Sequence, residues 1–149
     1  MRFMWLPIVE SVRMYLQSLP EIAETYEVDL IGNLPKGGGS SIEIDWEAER
    51  GAAETVNTTG AVAVHLLIKH RTDDTDIWRA FREQYRIQNL ILREIRRLHD
   101  YILTNLKIAV KISATGVEPL GDMVRPYYGN ELILVFEWKG GTRDGRYEA

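Results

Sequence analysis

The sequence contains no cysteine. That excludes a disulfide framework, a thiolate zinc site and a cysteine nucleophile, and it fits a reducing compartment. No apolar run approaches the roughly 20 residues needed to span a bilayer. The opening Met1-Arg2-Phe3-Met4-Trp5-Leu6-Pro7 is briefly apolar, but Pro7, Glu10 and Arg13 interrupt it too soon for a signal-peptide core. The expectation is a protein made and kept in the cytoplasm, with no membrane partner. Charge of one sign is scarce as well. Lysine and arginine number 18 against 22 acidic residues, a net −4. So mild a balance exerts no global pull on nucleic acid, and any basic surface must be local. Catalytic signatures are missing too. There is no Ser–His–acid set, no His-Glu-x-x-His run and no Gly-x-Ser-x-Gly elbow. The expectation is a protein that is not an enzyme, with no catalytic residue, cofactor or metal.

What is present is a chain of 149 residues that suits one domain. We read residues 1–139 as that domain and 140–149 as a polar, glycine-rich tail that frays. Ile8, Val12, Tyr15, Leu16 and Leu19 recur at three- and four-residue steps, which predicts a helix over 8–19. Pro20 should break it, and a short helical turn over 21–25 and a brief strand at Val28–Ile31 follow. Gly37-Gly38-Gly39 predicts a mobile loop. Lys36 precedes these glycines and a strand follows them, the reverse of a phosphate-binding loop.

Ile42 to Glu47 alternates without error, with Glu43, Asp45 and Glu47 on one face. No neighbouring histidine or second acidic cluster is evident in the sequence, so a strand with a solvated acidic face explains the pattern. Residues 48–60 read as a linker or hairpin tip. Ala61 to Lys69 is apolar on both faces, as a central strand requires. His65 and His70 lie on opposite faces of it and cannot share a metal; His65 reads as a hydrogen-bonded, half-buried residue. Further strands are expected over 106–115 and 131–138, joined by a 15-residue loop over 116–130, long enough to carry function.

The longest element is a helix from about Asp76 to Leu103, some 42 Å at about 1.5 Å per residue. Its apolar seam runs Ile77, Phe81, Ile87, Leu90, Ile91, Ile95, Leu98 and Ile102. Asp73, Asp74 and Asp76 sit at the positive end of its dipole, and Arg93, Arg96 and Arg97 toward the negative end. Arg79, Arg82, Arg86 and Arg93 form a stripe. An ordinary solvated face, partly neutralised by Glu83 and Glu94, is one reading of it. Arginine rather than lysine favours contact with a partner, because its planar fork suits interfaces. His99 and Asp100 are adjacent on the helix and should point apart. The predicted fold class is α+β, a mainly antiparallel sheet of about four to five strands, with an N-terminal helix and one long helix packed on it.

The order helix, glycine-rich loop, strand, strand, long helix, strand, long loop, strand resembles the tail terminator, tail-completion and head-to-tail joining proteins of tailed bacteriophages. The resemblance covers about residues 1–139. Its closing segment runs from Gly121-Asp122-Met123-Val124-Arg125-Pro126-Tyr127-Tyr128-Gly129-Asn130 into Glu131-Leu132-Ile133-Leu134-Val135-Phe136-Glu137-Trp138, a loop leading to a final hydrophobic strand. The resemblance assigns no role to individual residues. It implies a virion-assembly protein whose copies form a ring, often a hexamer, between tail tube and head-connector proteins, with DNA passing through it. It also implies residence in the host cytoplasm during assembly and then in the virion. Arg79, Arg82, Arg86, Arg93, Arg125, Tyr127 and Tyr128 are the candidate partner or oligomer contacts. Two other readings stay open: a nucleic-acid-binding module using the arginine stripe, and a small-molecule enzyme.

Overall fold

The computed structural model describes residues 4–33, 39–47, 59–72, 75–119 and 127–139. The C-terminal stretch over 140–149, the glycines at 37 and 38 and the contact candidate Arg125 lie outside the described residues.

The first helix, α1, spans Trp5–Ser18 and seats Ile8, Val9, Val12, Tyr15 and Leu16 in the core. Pro7 falls in its first turn, where the missing N–H breaks no hydrogen bond. Leu19 leaves the helical region ahead of Pro20, and a one-turn helix, α2 (Pro20–Ala23), follows. Five strands come next in space: β1 (Glu27–Leu30), β2 (Ser41–Trp46), β3 (Thr59–Arg71), β4 (Lys111–Pro119) and β5 (Tyr127–Lys139). They form one sheet in the order β1-β2-β3-β5-β4. β1 pairs parallel with β2 and every other pairing is antiparallel. The fold is α+β with a mixed, mostly antiparallel sheet, as the sequence predicts.

Alternation sets the two faces of that sheet. Ile42, Ile44, Val62, Val64, Leu66, Ile68, Leu132, Leu134, Phe136 and Trp138 are buried on the face that the helices cover. The opposite face carries Asp45, Ala63, His65, Leu67, Lys69, Glu131, Ile133, Val135 and Glu137, and is here called the open face. Opposite Gly60 in the register lies Trp138, whose indole occupies the space a Cβ would take. Glycine at 60 is therefore what makes room for the ring against β3. Trp5 of α1 stacks on Trp46 with centroids 4.6 Å apart. At the β1 edge, Arg13 Nε and Gln17 Nε2 of α1 both donate to the Val28 carbonyl, at 3.3 and 3.0 Å.

The long helical run extends past its expected end and is divided. α3 spans Ile77–Arg93, α4 spans Ile95–Leu106, and Glu94 alone stands between them as a turn, still in the right-handed helical region at φ −89° and ψ 0°. The backbone ladder runs through the division, since Glu94 N–H donates to Leu90 and Ile91 and Leu98 N–H donates to Glu94. No proline or glycine stands there. Glu94 instead turns its carboxylate inward, where Tyr15 Oη donates at 2.7 Å and Arg97 Nη1 at 3.0 Å. Burial beside Glu94 pushes the Tyr15 hydroxyl up to about 12. α3 packs on β3 and β5, and α4 on β4 and α1.

Two strand boundaries differ from expectation. Leu106 closes α4 rather than opening a strand, and Lys107 takes the left-handed conformation (φ 58°) that ends many helices. Ile108 and Val110 are buried, in keeping with the alternation, but pairing begins only at Lys111. The supposed 15-residue loop is mostly strand. β4 reaches Pro119 and β5 starts at Tyr127, which leaves only 120–126 between them. A register shift between Ala114 and Gly116 absorbs one unpaired residue, the arrangement of a β-bulge.

Candidate interaction surface

The first half of α3 departs from the amphipathic rule. Asp76 caps it by accepting from the Trp78 N–H at 3.0 Å. At about 100° per residue, Ala80, Gln84, Ile87 and Ile91 share one side, and these are the residues buried against the sheet. In the first two turns that inner side offers only Ala80 and Gln84. The large apolar side chains point out: Trp78 and Tyr85 are each 66% exposed, Phe81 44% and Ile77 39%. This corrects the predicted seam. Ile77 and Phe81 are not core residues, whereas Ile87, Leu90, Ile91, Leu98 and Ile102 are.

The outward aromatics touch one another. Trp78 and Phe81 meet edge to face with centroids 6.2 Å apart, and Phe81 meets Tyr128 of β5 the same way at 6.3 Å. Tyr128 therefore joins the α3 surface. Tyr127 stands opposite Arg71 at the start of β5.

Beside the aromatic band runs the arginine stripe. Arg79 and Arg82 share Asp76 at 3.8 and 3.9 Å with their side chains about 70% exposed, and such loose ion pairs hold little energy in water. Arg86 is different. Its Nε and Nη2 grip both oxygens of Glu83 at 3.0 and 2.8 Å, and its Nη1 reaches Glu21 of α2 at 3.2 Å. That grip holds the Glu83 carboxyl below its ordinary range. Glu83 in turn lies 3.5 Å from the buried Tyr26 hydroxyl, which is 3.3 Å from His70 Nδ1. Burial lowers the pKa of His70 and raises that of Tyr26. Arg86 thus ties α3 to α2 and β3, a folding role the sequence does not disclose. Arg93 is exposed in the last turn of α3.

On the open face the sheet assembles a cluster that linear spacing hides. His65 stands between two carboxylates, with Nε2 3.0 Å from Glu47 and Nδ1 3.2 Å from Glu131. The acidic run of β2 does therefore meet a histidine, through strand pairing. Glu43 is buried and held by Lys69 Nζ at 2.8 Å, while Asp45 and Glu47 remain exposed. Among the described residues no group of three His, Cys, Asp or Glu side chains is placed to hold a metal ion. His99 and Asp100, expected to diverge, meet at 3.2 Å on the surface of α4. No helix among the described residues is long and apolar enough to cross a membrane.

The molecule thus presents two large surfaces of opposite character: aromatics and arginines outside α3, carboxylates over the open sheet. Set against models of known protein families and against curated proteins, the chain matches none.

Proposed function

We propose that the chain is a non-enzymatic assembly protein of a tailed phage or prophage virion. In this reading its copies form a ring, six being the expected number, that ends the tail tube and joins it to the head connector. Assembly takes place in the host cytoplasm, the product is part of the virion, and DNA passes through the ring. The observation that carries the reading is the outward aromatic band of α3. Trp78, Phe81 and Tyr85 lie in water at large hydrophobic cost while Ala80 and Gln84 occupy the inner side. Aromatic and arginine side chains are the residues most enriched at energetic centres of protein interfaces. The resemblance to tail terminator and joining proteins names the assembly.

Nucleic-acid binding through the same stripe is weakened at Arg86, whose guanidinium is already engaged by Glu83 and Glu21. Light scattering on the purified chain tests the reading, together with co-sedimentation with isolated tail tubes. A multimer of defined mass that binds tubes is expected. A strict monomer at every concentration that also fails to bind tubes would end the proposal.

A further inference from the structure

The aromatic and arginine band needs an occupant, and the chain itself carries a surface of fitting charge. The open face presents Asp45, Glu47, Glu131 and Glu137 around the half-buried Ala63, Leu67, Ile133 and Val135; its carboxylates outnumber its cations, Lys69 held by Glu43, Lys111 opposite Glu137 and Arg71 at the strand end. Small and branched apolar residues ringed by carboxylates match large aromatics flanked by guanidinium groups. We infer that copies of the chain meet head to tail, the outer face of α3 in one seated on the open sheet face of the next.

Three features support this pairing over its alternatives. Among the described residues the helices cover one face of the sheet, so the two surfaces lie on opposite sides of the described domain. A contact between opposite sides is heterologous: it leaves a free surface of each kind at either end and closes into a ring when the rotation per copy divides a full turn. An α3-to-α3 contact would set Arg79 and Arg82 against their own copies, and like charges across an interface are repulsive. The charges that would engage are exposed. The side chains of Arg79 and Arg82 are 71% and 69% exposed, and Asp45 and Glu47 are exposed as well.

The inference rests on the assembly reading and assigns its surfaces. Sedimentation velocity of the full chain tests both, with circular dichroism to verify folding. Arg79→Glu with Arg82→Glu should weaken association at least about tenfold. Asp45→Lys with Glu47→Lys should do the same. Asp45→Lys alone should act in the same direction while leaving the Glu47–His65 contact intact. Trp78→Ala should weaken association by about thirtyfold, as loss of an aromatic anchor does. Mixing the two reversed proteins, or combining all four reversals in one chain, should restore the assembly.

If the wild type assembles but the reversals leave it intact, or the mixture fails to recover, the surface assignment is overturned and the assembly reading stands. If the wild type never assembles and never binds tubes, both fall. A monomer that retains a labelled single-stranded oligonucleotide at low salt, and loses it on arginine reversal, overturns the inference in favour of a nucleic-acid surface.

Discussion

The two ends of the helical run, the first turns of α3 and the whole of α4, use similar apolar residues to opposite ends. In α4, Leu98 and Ile102 are buried, Ile95, Tyr101 and Leu106 are half-buried, and Leu103 alone of its large apolar side chains is exposed. In the first turns of α3, Trp78, Phe81 and Tyr85 face water, and the sheet beneath receives Ala80 and Gln84. Gln84 Nε2 and Asn130 Oδ1 are buried there without a hydrogen-bond partner, while Asn130 Nδ2 donates to Gln88 Oε1 at 2.7 Å. One half of the run is thus optimised for its own domain. The other keeps a polar, imperfectly satisfied inner side and turns its best packing groups outward. Natural sequences break the inside-outside rule chiefly where function requires it.

The largest test of this contrast is Ile102→Ala. It should cost about 2–5 kcal/mol, the usual penalty for an aliphatic cavity in a closed core, read from urea unfolding. A loss under half a kilocalorie (about the spread of surface substitutions) would erase the distinction between the two halves. Next comes Tyr15→Phe, which strips a hydrogen bond from the inward carboxylate at the α3–α4 division. A loss of about 1.5–3 kcal/mol is expected, as for hydrogen bonds to charged groups. The mutant should also show faster amide exchange around Glu94.

Gln84→Met should move stability the other way. It removes a buried donor that has no acceptor and keeps the volume, so a gain of about 1 kcal/mol is expected from the same unfolding curves. If stability drops instead, Gln84 makes an interaction on which the inner side depends, and the two halves of the run differ less.

The pH response should be gentler. His70 titrates below its ordinary 6.5 in the fold because burial disfavours its charged form. The unfolded chain therefore takes up the proton first, so this stabilisation is complete above pH 6.5 and is lost as pH falls through the depressed value. Glu83, held low by Arg86, contributes in the same direction, with stability present above its ordinary 4.5 and lost below it. Tm should decline on acidification from pH 7, and His70→Gln should flatten the upper part of that decline. The smallest effect on stability belongs to Trp78→Ser. Its unfolding midpoint should match wild type to within about 0.5 kcal/mol, the scale of surface substitutions. Only association should suffer.

Period alone made most of this architecture legible. The Ile42–Glu47 alternation gave β2 its register, and the doubly apolar Ala61–Lys69 placed β3 at the centre. Three- and four-residue spacing located α1 and the long run to within a few residues. Periodicity failed where the same residue type serves two purposes. Ile77 and Phe81 keep the helical step of a seam, and nothing in the spacing says that they are exposed rather than buried against the sheet. Over 116–130, Gly116, Pro119, Gly121, Pro126 and Gly129 carry the composition of a loop, yet pairing with a long neighbour holds most of it extended. His65 between Glu47 and Glu131 joins residues 18 and 66 positions apart, a distance that only the register of three strands closes. Of the contact candidates, Arg79, Arg82, Arg93 and Tyr128 stand on or beside the outer face of α3, while Arg86 is spent on the fold itself.

The two side chains from α1 on the Val28 carbonyl have a consequence at the border of the sheet. A border strand with open carbonyls is a template on which another chain can continue the sheet, the route to runaway fibres. Here the β1 border is four residues long and its Val28 acceptor is already occupied by Arg13 and Gln17. The opposite border, β4, is bulged and ends on a proline. Neither described rim invites extension of the sheet, which leaves the broad faces rather than the rims for the proposed contact between copies.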